Sequence, residues 1–476
     1  MNPTQIIRYI GSVVVCAGLG VLVSPDQALA QARPSLPPNS PFAGGVPDGS
    51  PVTESLALTI ADVIDRALRH NLGLLLSEQS AERASSARTV AMAELLPNVT
   101  GSASASRRKS NLEAFGFPLG ESFPRVVGPF NVYDARVFLE QSVFDLKALN
   151  DVKAEGHNLT AARYSSRGAR DLVALIAVNA FLQTLATSAR SESARAQLET
   201  AEALHRQAES LRQSGIVAGI EVIRAEVRLS TDRQRAISAE NEFQKSKLQL
   251  ARMIGLPIGQ TFTLRSDVPE VPLAELKLED ALERAYRDRP DYLAALERVR
   301  AAEASRRAIQ GEGLPSFKVR ADYGAIGLTW STSLPTFNVT GEVGVPIFEG
   351  GRTQGRLVEA DAELRERRAE AEDIRAEVYY DVRTAFLDLE ATGEELKTAT
   401  RARELAALQL TQSRDRFAAG VVSNIEVVQA QEAVALASEQ FINAQYSFSW
   451  AKGMLAGSLG TAEETLRKYL GSGRTP

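Results

Sequence analysis

The sequence predicts a mainly α-helical protein, built as a tandem repeat of long coiled-coil helices, with four β-strands of membrane-spanning type. Three observations predict this class: two very long stretches lack proline, the halves share a series of motifs, and four segments alternate apolar with polar residues. Charged residues make up 24% of the 476 positions and the formal net charge is −5, so nothing indicates nucleic-acid binding.

The first 30 residues predict a signal peptide. Arg8 precedes an apolar stretch at 10–23, and Ala28 and Ala30 supply small residues for cleavage before Gln31. The apolar stretch is shorter than the roughly 18 residues of a membrane-spanning helix, although an uncleaved anchor is the alternative. No later apolar stretch is expected to reach that length, which predicts a mature chain without a helical anchor.

Cys16 is the only cysteine and lies within the signal peptide, so we expect no lipidation, disulfide or thiol chemistry in the mature chain. Residues 31–57 follow as a segment rich in proline, glycine and serine. Such a composition predicts a linker that is either extended or disordered.

An internal repeat organises the remaining chain. "LTIADVIDRALRHN" matches "LKLEDALERAYRDR", "SVFD" matches "PIFE", and "SGIVAGIEV" matches "AGVVSNIEV", each in the same order. We therefore divide the chain into a first repeat (58–257), a connector (258–275), a second repeat (276–456) and a C-terminal tail (457–476).

Each repeat is predicted to begin with one helix, Thr59–Leu96 or Lys277–Gly313, that ends before a proline. After the strands, proline is absent between Pro129 and Pro257 and again after Pro346 up to the last residue. Helices of about 100 Å are expected there, each followed by a returning helix. Their predicted ranges are Lys147–Gln213, Ile220–Met253, Thr353–Ala418 and Ile425–Leu455. The helical pattern alone is equally compatible with a soluble coiled coil.

Strands are predicted at about 98–144 and 316–348, two in each repeat. In "TFNVTGEVGVPIF" (336–348), one parity carries Phe337, Val339, Val343, Val345 and Ile347, and the other is mostly polar. The alternating segments span about 9–13 residues, which suits tilted strands that cross a membrane.

Four strands are too few to enclose a pore, because membrane barrels use about eight or more and leave no free edge. The strands of several chains must therefore share one sheet. The alternative is a pair of hairpins packed in a soluble sandwich, which would need further strands. Charged residues on the second parity suit a water-filled lumen: Arg136, Glu140, Lys318, Arg320 and Asp322.

The chain resembles the TolC-like outer-membrane efflux protein family over about residues 58–456. The resemblance rests on the duplicated opening motif, its "LLPNV" and "GLPSF" ends, and the turn motifs "SGIVAGIEVIRAE" and "AGVVSNIEVVQAQ". It implies a homotrimer in the outer membrane of a Gram-negative bacterium. A twelve-stranded barrel, four strands per chain, would stand on an α-helical tunnel in the periplasm, with the apolar strand face against outer-membrane lipid.

In this family the turns between paired tunnel helices form a periplasmic tip, which opens when partners dock. The resemblance implies a periplasmic adaptor (membrane fusion protein) and an inner-membrane pump of RND or ABC type. The turns would be Ser214–Glu221, with Gly215, and Ala419–Glu426, with Gly420. A glycine at either place is equally explained as a simple helix stop.

The family also has two acidic positions, one helical turn apart, that narrow the channel after the second turn. They fall on Glu426 and on the uncharged Gln429. Glu426 either lines the pore or is a solvated acid favoured by the helix dipole. Glu221 occupies the related place after the first turn, where family members carry polar links between helices. The basic partner of that link would fall on Val422, so the latch is absent or rebuilt.

The loop Arg107–Phe130 is expected outside the cell. Its run Arg107–Lys109 either meets phosphates of lipid headgroups or is solvated. Its phenylalanines (Phe115, Phe117, Phe123 and Phe130) either cap the pore or lie at the membrane interface.

No enzyme chemistry is predicted. The three histidines, His70, His157 and His205, match no metal-ligand spacing, and no cofactor or nucleotide motif is present. These features together predict a passive exit duct for efflux or secretion of small molecules or polypeptides. The alternatives are a periplasmic coiled-coil adaptor and a scaffold without a conducting pore.

Overall fold

The computed structural model describes residues 40–112, 114, 124–265, 277–419, 421–422 and 424–470. The predicted signal peptide, Phe115, Phe117, Phe123 and Gly420 lie outside these residues. The helices are α1 (Ile60–His70), α2 (Leu72–Ala93), α3 (Leu146–Gln213), α4 (Gly219–Met253), α5 (Leu278–Asp288), α6 (Pro290–Glu312), α7 (Arg352–Ala418), α8 (Asn424–Ser458) and α9 (Ala462–Leu470). The strands are β1 (Leu56–Leu58), β2 (Asn98–Asn111), β3 (Val126–Phe144), β4 (Phe262–Leu264), β5 (Ser316–Gly327) and β6 (Leu334–Gly344).

The four long helices agree with their predicted ranges to within three residues. α3 forms an antiparallel hairpin with α4, and α7 forms one with α8, while α3 also packs along α6 and α8. At α3, Asp145 caps the first turn by accepting a hydrogen bond of 3.1 Å from the backbone nitrogen of Ala148. The two repeats therefore lie side by side, joined by contacts of α3 with the second repeat.

The prediction of one continuous helix at the start of each repeat is wrong. Asn71 has an extended backbone, and its Oδ1 accepts hydrogen bonds from the nitrogens of Gly73 and Leu74, which caps α2. In the second repeat, Arg289 is extended because the ring of Pro290 excludes the helical conformation from the preceding residue. The expected single helices are thus the pairs α1–α2 and α5–α6.

The large sheet has the order β2-β3-β5-β6, with every neighbouring pair antiparallel. β3 and β5 are central, so the two repeats join within the sheet. β2 and β3 have 14 and 19 residues, longer than predicted, because the outer part of β3 up to Val132 pairs with β2 alone. The run Arg107–Lys109 and Phe130, expected in the external loop, therefore lie within these strands. β6 ends at Gly344, so Val345 and Ile347 lie beyond the strand, contrary to the prediction.

A small parallel sheet of β1 and β4 was not predicted. Within the described residues it brings the strand count to six rather than four. The described part of the predicted linker packs against the end of α4 and the adjacent core. Gly45 donates to the oxygen of Arg252 at 2.9 Å, and Phe42 packs against the core beneath. The predicted tail also contains α9, which contacts α3.

The main core lies among α1, α3, α4, β4 and α9, where Ile64, Phe181 and Leu250 are fully buried. Here another prediction fails, since α3 contains a stretch long and apolar enough to cross a membrane. It carries no charged side chain between Asp171 and Arg190. Half of the stretch is buried inside the chain, because it supplies much of this core.

Candidate functional site: a charged sheet face and two helical turns

The strand register brings the five predicted lumen residues to one face of the sheet. Glu140 lies directly opposite Arg320, and residues paired in this way point to the same side. Arg136, Lys318 and Asp322 lie an even number of residues along the same strands, so they share that side. We call it the charged face; it contains Arg136, Glu140, Lys318, Arg320 and Asp322, and also Asp134 and Glu342.

Arg136 forms ion pairs within its own repeat and across to the second. Its Nε lies 2.8 Å from Oδ1 of Asp134, and its Nη1 lies 2.6 Å from Oδ1 of Asp322. Gly324 lies directly opposite Arg136, and a Cβ there would lie 2.2 Å from the Cβ of Arg136. The absence of a side chain at Gly324 therefore makes room for Arg136 to reach both carboxylates.

Arg320 makes the second set of ion pairs on the charged face. Its Nη1 lies 2.6 Å from Oε2 of Glu342 on β6, and its Nε lies 3.5 Å from Oε1 of Glu140 on β3. Lys318 lies opposite Glu342 in the register. Charges of both signs thus alternate across three strands and present a polar surface with little net charge.

The opposite face of the sheet is apolar and exposed within the single chain. Phe337, for example, is 77% exposed. Other exposed members of this face are Val99, Val137, Tyr323, Val339 and Val343. In the part of the chain that is described, β2 and β6 each pair on one side only. The sheet therefore leaves both an apolar face and two hydrogen-bonding edges for something outside the chain.

The first predicted turn closes α3 with a left-handed glycine. Gly215 has a φ of 75°, which residues with a side chain rarely adopt. The nitrogen of Ile216 donates to the oxygen of Leu211 at 2.9 Å, and that of Gly215 donates to Arg212 at 2.9 Å. These two bonds form a Schellman motif, so Gly215 has the turn role that the sequence predicted.

The second turn is closed by a matching bond, from the nitrogen of Val421 to the oxygen of Arg416 at 2.9 Å. Gly420 itself lies outside the described residues. Just beyond the turn, Oε1 of Glu426 lies 2.8 Å from Nη1 of Arg416 and accepts from Oγ of Ser413 at 3.4 Å. Gln429 is exposed one turn further along α8. Glu426 is thus tied to its own hairpin.

Glu221 bonds within α4 rather than to another helix. Its Oε1 lies 2.6 Å from Nη1 of Arg224, while its buried Oε2 has no hydrogen-bond partner among the described residues. Val422 is half-buried and offers no charge. The particular link implied by the resemblance is therefore not formed by this pair.

An ion-pair cluster farther from the turns was missed in the sequence. Asp232 on α4 is 1% exposed and accepts a hydrogen bond of 2.7 Å from Nε of Arg228. Arg228 also contacts Glu432 of α8, and Nη2 of Arg235 donates to Oε1 of Glu432 at 3.1 Å. Hydrogen bonds from Arg235 and then Arg228 lower the pKa of Glu432. We call these four residues the Asp232 cluster.

The sequence did contain a signal for this cluster. Buried positions on α4 share one face of the helix, at spacings of three or four residues or sums of these: Val222, Ala225, Asp232, Ala236, Ser246 and Leu250. Such a seam is apolar in an ordinary coiled coil, so an aspartate within it indicates a specific polar partner. The partner on α8 could not be read from spacing alone.

α4 carries a second seam on its other side, and this one is exposed. It consists of large apolar side chains on the helix face opposite the buried positions, Ile220, Ile223, Val227 and Ile237, and Ile216 in the preceding turn continues it. A helix with two apolar seams is typical of a bundle in which it contacts helices on both sides. In the single chain only the first seam is covered.

No group of three or more His, Cys, Asp and Glu side chains in the described residues is arranged to hold a metal ion. His157, one of the three histidines, has its Nδ1 2.7 Å from Oε2 of Glu297. This contact joins α3 to α6 within the helical region.

The family model for outer membrane efflux proteins matches residues 63–256 and 281–472, one segment in each repeat. The chain belongs to the outer membrane efflux protein family. This is a family of channel proteins of the outer membrane, which places the strands in that membrane and the helices in the periplasm.

Two curated relatives are distant in sequence. The pyoverdine export outer membrane protein OpmQ of Pseudomonas putida is 24% identical over 289 residues, covering 59% of this chain and 60% of the relative. The alkaline protease secretion protein AprF of Pseudomonas aeruginosa is 22% identical over 372 residues, covering 73% and 74%. The chain thus matches less than two thirds of the length of OpmQ.

The fold is that of solved outer-membrane channels. The Campylobacter jejuni CmeC outer membrane channel superposes with a TM-score of 0.73 at 18% identity, covering 86% of this chain and 89% of that one. At such low identity the likeness concerns the fold alone. It agrees with the combination of a four-stranded sheet and long helical hairpins described above.

Proposed function

We propose that three copies of this chain form a passive exit duct across the outer membrane and the periplasm. The observation that carries the proposal is the sheet, which has one charged face, one apolar face and two open edges. β2 and β6 run in opposite directions, since three antiparallel pairings separate them. β6 of one copy can therefore pair antiparallel with β2 of the next, and three copies would close a barrel.

In this barrel the charged face lines the lumen and the apolar face contacts lipid. The ion pairs of Arg136 and Arg320 leave few free charges in the lumen. A lumen of this kind passes hydrated solutes without binding them strongly. The exposed seam of α4 would contact a neighbouring copy, which closes the helical tunnel in the same way as the strands close the barrel.

Channels of this family are trimers that work with an adaptor and an inner-membrane pump. For this chain we propose a periplasmic adaptor that docks at the turns containing Gly215 and Gly420, and a pump of RND or ABC type. OpmQ is named for export of pyoverdine and AprF for secretion of alkaline protease. The proposed cargo is accordingly a small molecule or a polypeptide, driven by energy from the pump.

The proposed constriction lies at Glu426, close to the tip. Three copies of Glu426 would surround the channel axis, and three of Gln429 would lie one turn farther in. Because Arg416 neutralises Glu426 in each copy, the two residues act on ion selectivity in opposite directions. Glu426→Gln should lower the preference for cations and Arg416→Gln should raise it.

Planar bilayers containing the purified protein test both the duct and the constriction. The duct predicts heat-modifiable trimers that give discrete single-channel currents, whereas an adaptor or a scaffold gives none. For selectivity the matched control is Glu404→Gln, which removes the similar α7 pair of Arg401 and Glu404 at 3.0 Å. Unchanged selectivity in both tip variants would remove Glu426 from the pore while leaving the duct itself intact.

A further inference from the structure

The outer end of the sheet is identified by the connections of its strands. β2 follows α2 and β3 leads into α3, while β5 follows α6 and β6 leads towards α7. The helices therefore all join one end of the sheet. The other end, where Asn111, Val126, Gly327 and Leu334 lie, is the end away from the periplasm.

Arg107 projects from the apolar face near this outer end. It lies on the same parity of β2 as Val99 and Ala105, whereas Arg108 lies on the parity of the charged face. Arg108 points towards its own face, since its Nε donates to Oγ of Ser106 at 3.2 Å. Arg107 is exposed, and within the described ranges no carboxylate forms an ion pair with it.

The position of Arg107 along the strand fixes its depth. Eight residues separate it from Val99, which at about 3.4 Å per residue is roughly 27 Å along a tilted strand. Because the strands of a membrane barrel tilt by about 35–45°, this length spans a height of about 20 Å, close to the roughly 25 Å of the apolar band, so Arg107 lies near the outer boundary of the hydrocarbon when Val99 lies near the inner one. An arginine at the centre of that band would cost about 2–4 kcal/mol, but near the interface the cost falls to about 0–1 kcal/mol.

Two aromatic rings mark the same boundary. Tyr133 lies opposite Ala105, two residue pairs further into the sheet than Arg107 and Asn131 and therefore on the same face. The ring of Tyr133 lies 4.9 Å from the ring of Trp330, measured between centroids. Tyrosine and tryptophan concentrate at the height of lipid headgroups, because their rings are apolar and their edges are polar.

We propose that Arg107, with the Tyr133–Trp330 ring pair beside it, binds a phosphate group of an outer-leaflet lipid. The guanidinium offers two parallel donors to phosphate oxygens, and the rings contact the apolar part of the same lipid. The proposal rests on the membrane-spanning sheet of the proposed duct. In a trimer it gives three lipid sites around the outer rim.

Native mass spectrometry of the detergent-solubilised protein tests the proposal, with phosphorylated lipid A and its dephosphorylated form as probes. The wild-type protein and Arg108→Gln should both prefer the phosphorylated lipid. Arg107→Gln should lose about tenfold in affinity for it, as for a charged hydrogen bond, and should lose the preference. Arg107→Lys should restore part of the preference, because the charge remains but the paired donors do not.

Other results would overturn the lipid site. Equal losses in Arg107→Gln and Arg108→Gln would indicate a general effect of positive charge at the outer end of β2. Displacement of the lipid by millimolar inorganic phosphate alone would indicate a site for free anions. Trp330→Ala should weaken both lipid forms equally, and no effect of this variant would contradict the role of the rings. A protein that forms trimers and conducts, yet shows no phosphate preference, would refute this site and leave the duct in place.

Discussion

Arg136 on β3 donates to Asp322 on β5 across 2.6 Å, which joins the charged faces of the two repeats in the middle of the sheet. Gly324 on β5 lies directly opposite Arg136 and leaves the space that its side chain occupies. The two repeats are therefore fitted to each other at this point, rather than placed as independent hairpins.

Gly324→Ala should prevent stable assembly. The new Cβ would lie 2.4 Å from the oxygen of Ala135 and even closer to Arg136, so β3 and β5 must separate, at a cost of about 1–3 kcal/mol or more. The matched control is Gly341→Ala, whose Cβ would lie 3.4 Å from the ring of Phe317. Gel migration before and after heating should show trimers for the control and few for Gly324→Ala. Equal trimer yields would contradict the role of Gly324.

Ile237→Glu should weaken association between copies. Ile237 is 68% exposed in the exposed seam of α4, and a charge there would be buried by a neighbouring copy. Burial of an unpaired polar group costs about 2–3 kcal/mol, which weakens association roughly a hundredfold. Ile258→Glu is the control, since Ile258 is 85% exposed and lies outside the seam. Light scattering in detergent should then detect monomers for Ile237→Glu only, and a fully trimeric variant would exclude the seam from the interface.

Glu432→Gln should make the tip open more readily at rest. The change removes the charged partner that α8 offers to Arg228 and Arg235 of α4, worth about 1 kcal/mol for a partly exposed pair, or about fivefold in open probability. Because the folded pKa of Glu432 is lowered, the link is present above the carboxyl's ordinary pKa and is lost as pH falls through the lowered value. Acid should therefore mimic the variant in single-channel recordings.

Glu202→Gln is the control for Glu432→Gln. Glu202 lies on α3 and also contacts an arginine of α4, Arg233, but only at 3.8 Å and at the surface. An open probability that does not differ between the two variants would show that the Asp232 cluster does not restrain the tip.

Asp171→Asn should tighten the contact of α9 with α3 at neutral pH. Burial raises the pKa of Asp171 to about 6, and its Oδ1 accepts a hydrogen bond of 2.9 Å from the nitrogen of Glu463. A raised pKa means that the stabilising contribution is complete below the unfolded pKa of about 4 and is lost as pH rises through about 6. Asparagine keeps the acceptor without the charge.

Hydrogen exchange of the α9 amides, compared at equal pH, measures this effect. Asp171→Asn should exchange more slowly than the wild-type protein at pH 8 and at nearly the same rate at pH 3, below the unfolded pKa, where Asp171 is protonated in both the closed and the opened state. Glu464→Gln, on an exposed position of α9, should match the wild type at both values. A difference that persists at pH 3 would mean that packing, rather than charge, is responsible.

Much of this fold follows from local pattern. The absence of proline predicted α3, α4, α7 and α8 to within a few residues, and period-two alternation assigned Arg136, Glu140 and Arg320 to one face. Both signals are local, because proline excludes helix interiors and strand residues alternate between faces. The break at Arg289 is also a local signal, because Pro290 excludes the helical conformation at the residue before it.

The remaining features depend on contacts between distant segments. β1 and β4 are three residues each and are strands only because they pair with each other. Glu432 reaches Arg228 only once the tertiary fold places α4 and α8 near each other, so no spacing in the sequence joins them. The pairing of Glu426 with Arg416 likewise depends on how tightly the second turn folds back.

The pairing of β6 with β2 of a neighbouring copy is the relationship on which the duct depends. Cys16, in the predicted signal peptide, is the only cysteine, so disulfide cross-links between mature chains would come from the engineered cysteines alone. One cysteine at each charged-face position of β2, from Asn98 to Ser106, would be combined with one at each such position of β6, from Thr336 to Glu342. Oxidation in outer-membrane vesicles should then produce covalent dimers and trimers only for those cysteine combinations that are opposite each other in one antiparallel register of β2 and β6. Cross-links in no combination, with the mature protein purified as a monomer that needs no detergent, would contradict the shared barrel.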